Sequence, residues 1–236
     1  MTSSPAGTGA EQAGVAGPRS KKGRRTRDRL VKAAKVVFER SGFLNARVSD
    51  IVAEAGISHG AFYHYFESKE QIFREVAAEQ EVTMTSLARR ADGPGAGDQV
   101  GADPVGAVPD GPLTAYERIR AANAVYLEAY RAEAAIMRVI EEVSRYDTEV
   151  YAVREQRQRE YGALLARSIS RLQEQGVADR RVDPRLAAAA LGGMVAKFAE
   201  MTLVQGYETF DLNHAVEQVT LLWANAIGLH PDERPS

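Results

Sequence analysis

Residues 48–66 read VSDIVAEAGISHGAFYHYF, and the rest of the chain can be interpreted around this stretch. Residues 48–55 have apolar side chains at helical spacing, and a turn follows at 56–58. A helical segment rich in aromatic residues then covers 59–66. Gly56 can adopt the left-handed conformation that ends a helix, and Ser58 can cap the next helix. Two short helices joined this way are typical of the helix-turn-helix motif, whose second helix enters the DNA major groove.

The composition indicates a globular protein with one large or two modest domains. The chain has 236 residues, of which 44% are apolar and 26% charged. It contains no run of about 18 apolar residues that would predict a membrane span, and residues 1–18 lack the apolar core of a secretion signal. The absence of cysteine excludes disulfides, thiolate nucleophiles and cysteine-ligated zinc, and favours a cytoplasmic location.

The charge is distributed unevenly, although the net charge is only −2. Residues 1–72 carry 12 Lys and Arg against 7 Asp and Glu, and seven of these basic residues lie between Arg19 and Arg29. The remainder carries 18 against 25. A basic N-terminal third on an acidic body is the pattern of a phosphate-binding surface. The alternative is a basic tail that only increases solubility.

The N-terminal region is expected to begin with disorder and continue into a basic arm. Residues 1–18 have too few apolar side chains to fold. The basic residues from Arg19 to Arg27 form an arm that can lie along phosphates or enter the minor groove. A first helix is predicted from about Thr26 to Ser41, with Gly42 as its C-terminal cap and Phe43 in the core.

The remaining pattern predicts helices and no strands. Ser68 and Gln71 form a capping box that opens a fourth helix, extending to about Arg90. Residues 92–112 contain six glycines and four prolines, which predicts a flexible loop. Further helices are predicted at 114–130, 133–145, 147–176, 183–205 and 211–228. The fold class is therefore all-α, with about nine helices.

Part of this sequence resembles the N-terminal domain of the tetracycline-repressor-like (TetR) transcriptional regulators. The matching segments are AAKVVFERSGF at 33–43, DIVAEAGIS at 50–58 and GAFYHYFESKEQIF at 60–73. The resemblance implies a DNA-binding domain at 19–75 and a ligand-binding and dimerisation domain at 76–230. Arg47 departs from the family, which usually has a capping Thr or Ser there, and an arginine could instead reach a phosphate.

Twelve residues are candidates for DNA contact. Residues at the N-terminus of a recognition helix meet base edges, while flanking side chains hold phosphates. The resemblance assigns His59, Gly60 and Ala61 to the bases and Tyr63, Tyr65 and Lys69 to the backbone, whereas Phe62 and Phe66 share a face with the core. The alternative is that all these aromatic residues only pack. The full set is Arg24, Arg25, Arg27, Arg47, Ser49, His59, Gly60, Ala61, Tyr63, His64, Tyr65 and Lys69.

The C-terminal body supplies candidates for ligand binding and dimerisation. A pocket between helices could be lined by Tyr126, Tyr130, Met137, Tyr161, Phe198 and Trp223. The alternative, which the pattern favours for any single one of them, is ordinary bundle core. Small residues at 187–193 allow close helix approach, and the resemblance implies a dimer interface with Ala189, Gly193, Met194, Val219 and Trp223. The charged run REQRQRE at 154–160 is interpreted as a solvated helix face.

The predicted function is that of a ligand-responsive transcriptional repressor. It would bind a palindromic double-stranded DNA operator as a homodimer and be released by a small apolar or amphipathic effector. We expect no cofactor, no metal and no catalysis, because His59 and His64 do not share a helical face and no serine has a nucleophile-elbow context. The alternatives are an all-α enzyme or carrier and a nonspecific DNA-compacting protein.

Overall fold

The computed structural model describes residues 20–91 and 113–229, with the side chains of 85 and 87–91 excepted. Within these ranges the chain forms nine α-helices, one short π-helix and no strand, so the all-α prediction is confirmed. The predicted N-terminal tail and the predicted loop at 92–112 lie outside the described residues.

The helices follow one another in a simple order. The first four are α1 (Lys21–Asn45), α2 (Val48–Ala55), α3 (His59–Phe62) and α4 (Lys69–Ala91). The next five are α5 (Ala115–Ala132), α6 (Ala134–Val143), α7 (Thr148–Glu174), α8 (Pro184–Ala199) and α9 (Leu212–Ala226), with a π-helical turn at Glu200–Val204 after α8. The chain divides into two compact units between Val76 and Ala77.

Helix α1 begins earlier than the sequence predicted. Ser20 acts as its N-cap, with the Ser20 hydroxyl accepting the Gly23 N–H at 3.0 Å. Lysine and arginine propagate a helix well, so the segment predicted to be an extended basic arm is helical from Lys21 onward. Gly42 (φ 71°, ψ 169°) interrupts the helix, but α1 resumes after it, and the C-cap is Ala46 rather than the predicted Gly42.

The turn between α2 and α3 follows the predicted pattern, but α3 is shorter. Gly56 is left-handed (φ 61°, ψ 41°), and the Ser58 hydroxyl accepts the Ala61 N–H at 3.3 Å. The helix ends at Phe62 rather than Phe66, because the His64 and Tyr65 amides bond to carbonyls three residues back and form a turn.

The core of the N-terminal unit is aromatic. Phe38 and Phe73 meet edge to face with ring centroids 5.0 Å apart, and Phe43 contacts both rings. Phe43 is buried as predicted, and Phe62 and Phe66 are fully buried. Full burial of one such side chain stabilises the fold by about 1.5–3 kcal/mol, so this cluster holds α1 against α4.

Helix α4 is one continuous helix that starts in the first unit and ends in the second. The Ser68 hydroxyl accepts the Gln71 N–H at 3.2 Å, as a capping box requires. The Gln71 side chain reaches one residue further back than expected and accepts the Glu67 N–H at 2.6 Å. Both polar groups therefore fix the start of α4 at Lys69.

The second unit is a helical body with side-chain caps at three helix starts. Thr114 and Glu117 form a reciprocal capping box on α5, Asp147 caps α7, and Asp183 caps α8 ahead of Pro184. Helix α7 packs on α8, and α5 packs on α9. The Asn123 amide donates to the Thr220 hydroxyl at 3.1 Å, which satisfies both buried polar groups between α5 and α9.

Candidate functional site

The start of α3 presents an exposed surface. His59 and Gly60 are exposed, Ala61 is partly exposed, and the Tyr63 side chain is 51% exposed. Phe62 lies between them in sequence but is completely buried. The packing-only alternative therefore fits Phe62 and Phe66 and does not fit Tyr63 or His64, which is also exposed.

Tyr63 is held in place by neighbouring rings. Its ring lies edge-on to His59, with centroids 5.5 Å apart, and edge-on to Phe62 at 5.3 Å. Such aromatic pairs contribute about 0.5–1.5 kcal/mol beyond their burial. The buried Phe62 thus restrains an exposed phenol beside the N-terminus of α3, while Tyr65 is half-buried on the following turn.

The N-terminus of α2 carries Arg47 and Ser49, which are both exposed. Arg47 occupies the N-cap position, where its guanidinium cannot accept the N–H groups that a Thr or Ser would accept. Asp50 supplies half of a capping box by accepting the Arg47 N–H at 3.3 Å. The Arg47 side chain is therefore not used as a cap.

Basic side chains form a stripe along α1. Lys22, Arg25, Arg29 and Lys32 are all exposed, and their spacing of three, four and three residues places them on one helical face. Arg24 is exposed as well. The sequence prediction included Arg24 and Arg25 but omitted Arg29 and Lys32, although the helical spacing was a usable signal.

Two predicted phosphate contacts have partners inside the protein. Arg27 forms an ion pair with Glu75 and lies over the Phe66 ring, 4.9 Å from its centroid. The Lys69 ammonium donates to the carbonyls of Phe43 at 2.7 Å and Ala46 at 3.1 Å. Arg27 ties the first part of α1 to α4, and Lys69 ties the start of α4 to the end of α1, roles that the sequence pattern did not indicate.

Metal binding has no support among the described residues. They contain no group of three or more His, Cys, Asp or Glu side chains that could hold a metal ion. His59 faces Tyr63 instead.

Comparison with known proteins assigns the chain to a family. Residues 30–76 match the bacterial regulatory proteins of the tetR family, and residues 112–200 match the tetracyclin repressor-like C-terminal domain. The chain belongs to the TetR family. This family and the relatives named below are transcriptional regulators rather than enzymes, as the sequence predicted.

Curated relatives match about a quarter of the chain. The HTH-type transcriptional regulator YdgC of Bacillus subtilis is 51% identical over 55 residues, which are 23% of this chain and 28% of YdgC. The HTH-type transcriptional repressor NicS of Pseudomonas putida is 40% identical over 60 residues, 25% of this chain and 28% of NicS. The match thus spans little more than a quarter of each relative.

Solved TetR structures share the fold over most of the chain. The fatty acid degradation regulator FadR from Bacillus halodurans aligns with a TM-score of 0.66 and 19% identity. The alignment covers 87% of this chain and 97% of FadR. At this identity the likeness extends to the fold alone.

Most residues of the predicted ligand pocket lie in the core of the TetR body. Tyr126, Tyr130, Met137 and Trp223 are buried, while Tyr161 and Phe198 are half-buried. A cleft of about 460 Å³ lies between α4 and α7, and none of these six residues lines it. The structure does not gather them around this space, so their ligand role stays a prediction.

The charged run at 154–160 is only partly a solvated face. Arg157 forms an ion pair with Glu81, which is 3% exposed, and Arg154 forms one with Glu141. The solvated interpretation is wrong for both arginines because they face α4 and α6. Arg159 does face solvent, where it pairs with Glu155.

The predicted dimer residues divide into two groups. Ala189 is exposed, and Gly193 and Met194 are half-buried on α8. Val219 and Trp223 are buried within the protomer's own core, which leaves little of either side chain for a partner to contact, and their interface role stays a prediction. The pattern of α9 allowed either face to point inward, and the exposed face instead carries Leu221 and Leu222.

Helix α8 also exposes apolar surface. Leu186 is 73% exposed, followed on the same helix by exposed Ala189 and Ala190. The stretch Pro184–Val204 is the described helix that is long and apolar enough to cross a membrane by length and composition. These criteria alone are weak evidence for a membrane span, because a helix that buries an apolar face against protein meets them too.

Proposed function

We propose that the chain is a homodimeric transcriptional repressor that binds a palindromic operator and responds to a small molecule. The observation that carries this proposal is the exposed surface formed by the start of α3 and Tyr63, in a unit that also carries the α1 basic stripe. A DNA-binding regulator with these properties works in the cytoplasm.

The proposed DNA-binding domain spans residues 19–75. His59, Gly60 and Ala61 lie at the N-terminus of α3, which is the part of a recognition helix that reaches base edges. Phosphate contacts are proposed for exposed or half-buried side chains flanking this surface, namely Arg24, Arg25, Arg47, Ser49, Tyr63, His64 and Tyr65. Lys69 and Arg27 are proposed to position the unit through their internal contacts.

The proposed ligand-binding and dimerisation domain spans residues 76–230. Exposed Leu186 and Leu222 supply apolar area that a second copy would bury, and the small residues Ala189 and Gly193 permit close approach. A symmetric dimer places two recognition helices about 34–36 Å apart, which matches successive major grooves and a palindromic site.

Release by an effector is proposed to be a population shift. The ligand would bind better to a state of the dimer in which the two recognition helices do not match successive grooves. Only the difference between its affinities for the two states can change DNA affinity.

The test is fluorescence anisotropy with a labelled palindrome from the upstream region of the protein's own gene. Tyr63→Ala should weaken binding about 30-fold, because one hydrogen bond of about 1 kcal/mol is lost in each protomer. Tyr151→Ala is the matched control, since Tyr151 is equally exposed but lies in the second unit. Equal affinities of the two variants would contradict the assignment of Tyr63.

The same assay separates a repressor from a DNA-compacting protein. A sequence-specific regulator binds its operator at least 10³-fold more tightly than random duplex at physiological salt, roughly the lower bound for specific binding. Comparable affinities for the two duplexes would favour compaction.

A further inference from the structure

The cleft between α4 and α7 has apolar walls and one charged end. Ala78 and Val82 line it from α4, and Ala152 and Val153 line it from α7. Glu81 and Arg157 lie in the same lining, so their ion pair borders the space. The polar residues Ser86, Gln156 and Glu160 complete the lining. Its volume of about 460 Å³ is within the range of small-molecule sites.

The ion pair at this end belongs to a larger buried cluster. Arg157 bonds to the Tyr126 hydroxyl as well as pairing with Glu81. The Arg154 Nε lies 3.9 Å from Glu81 Oε1, and Arg154 also pairs with Glu141 and donates to the Ser144 hydroxyl at 2.8 Å. Two guanidinium groups and two carboxylates therefore share one poorly solvated region.

The arginines and the carboxylates of this cluster differ in whether they can change their charge. Arginine cannot lose its proton in a protein, whereas a carboxylate can gain one. Burial raises the pKa of Glu81, even though Arg157 and Arg154 act to lower it. The other titratable groups near this region are Glu141 from α6, Glu160 from α7, and Tyr126 and Tyr130 from α5. Burial raises the pKa of both tyrosines, so they stay neutral.

This asymmetry favours one class of ligand. If an anion enters, Glu81 can take up a proton and the net charge of the cluster stays as it was. A cation that displaced Arg157 from Glu81 would leave a buried guanidinium group that cannot lose its proton. An uncompensated buried charge is strongly destabilising, so the difference is large enough to select between ligands.

We propose that this cleft binds a small organic carboxylate with an apolar body, whose carboxylate replaces that of Glu81 beside Arg157. The apolar body lies against Ala78, Val82, Ala152 and Val153. Binding transfers one proton from solvent to a Glu81 carboxylate oxygen, which forms an O–H bond there, and no other covalent bond forms or breaks. The inference rests on the proposed function in that it names the effector class of the sensor unit.

The position of Glu81 gives this exchange a regulatory consequence. Glu81 lies on α4, which runs without interruption from Lys69 to Ala91. Replacing Glu81 removes the ion pairs that join α4 to α7 at this point. A bound carboxylate therefore loosens the attachment of α4 to α7, and α4 is the helix that begins in the proposed DNA-binding domain.

The test uses the full-length protein and isothermal titration calorimetry with decanoate, decylamine and decanol. Decanoate is expected to bind most tightly. Its Kd should weaken by about tenfold per pH unit from pH 6 to pH 8, because one proton is taken up with the ligand. Titration in buffers of different ionisation enthalpy should return an uptake of about one proton.

Three variants sharpen this test. Glu81→Gln should bind decanoate with no proton uptake and a Kd that is constant with pH. Arg157→Gln should lose decanoate binding, while Arg159→Gln, an exposed arginine on the same helix, should bind as the unsubstituted protein does. If circular dichroism shows that Arg157→Gln is unfolded, the Glu81→Gln result decides.

The proposal is overturned if decylamine or decanol binds as tightly as decanoate. It is also overturned if no probe binds, or if Glu81→Gln retains the pH dependence. Operator binding without any probe, measured by anisotropy, tests the proposed function separately. If the protein binds its operator but does not bind decanoate, this inference is wrong and the repressor proposal still stands.

Discussion

The two units of this protein distribute charged and apolar side chains in opposite ways. The N-terminal unit has an aromatic core around Phe38 and Phe73 and keeps most basic side chains outside. The body buries Glu81 with two arginines and leaves Leu186 and Leu222 exposed. A surface for a fixed polyanion needs exposed charge, whereas buried charge and exposed apolar area suit a small ligand and a second protomer.

The largest expected effect is the loss of stability when the aromatic core of the N-terminal unit loses a ring. Phe73→Ala should lower the free energy of unfolding by about 3–5 kcal/mol, because it removes a fully buried ring that contacts Phe38 and Phe43. Urea denaturation followed by circular dichroism measures the change. Leu44→Ala, at a side chain that is 71% exposed, should change stability by less than about 0.5 kcal/mol.

The next largest expected effect is the loss of stability when a buried ion pair of the second unit is broken. Arg157→Met should cost about 3 kcal/mol of stability, because it leaves Glu81 buried without its main partner. The double variant Glu81→Met with Arg157→Met should recover most of this loss, since no unpaired charge remains there. A double-mutant cycle in urea measures the coupling, and a coupling near zero would show that the two side chains act independently.

A third prediction separates stability from DNA affinity within the N-terminal unit. Lys69→Met should lower the free energy of unfolding by about 1.5–3 kcal/mol, because a charged donor to the Phe43 and Ala46 carbonyls is lost. Arg25→Met should leave stability nearly unchanged and reduce the salt dependence of operator binding by about two counterions per dimer. The reverse pattern would show that Lys69 is the phosphate contact.

A smaller effect is expected at the start of α1. Ser20→Ala removes the hydroxyl that caps Gly23 and should cost about 1 kcal/mol of local stability. Amide hydrogen exchange in the first turn should speed up, while exchange near Phe38 stays slow. Unchanged exchange in that turn would mean that the basic segment is not held by this cap.

The smallest expected effect is a change in the stability of the second unit with pH, which depends on Asp179. Hydrogen bonds from Arg181 hold the pKa of Asp179 at about 2, below its usual value of 3.8. The ionised form therefore favours the folded state above the usual pKa, and this contribution is lost as the pH falls toward 2. An NMR titration of the Asp179 carboxyl should show the low midpoint, and Arg181→Gln should return it toward 3.8.

Local signals predicted many helix limits well. The Gly42 interruption, the left-handed Gly56 and the caps at Ser58 and Ser68 all depend on a few neighbouring residues. The predictions were wrong where a local pattern had two readings. A basic segment can be an extended arm or a helix, and Ser20 made it a helix.

The sequence by itself determined the all-α class, the helix-turn-helix motif and the concentration of positive charge near the N-terminus. Hydrogen bonds and side-chain periodicity within a few turns are sufficient for these features. Only the tertiary structure decided that Trp223 faces inward, that Arg157 pairs with Glu81 and that Lys69 binds the carbonyls at the end of α1. Those partners lie tens of residues apart in the chain, so their contacts depend on helix packing rather than on local spacing.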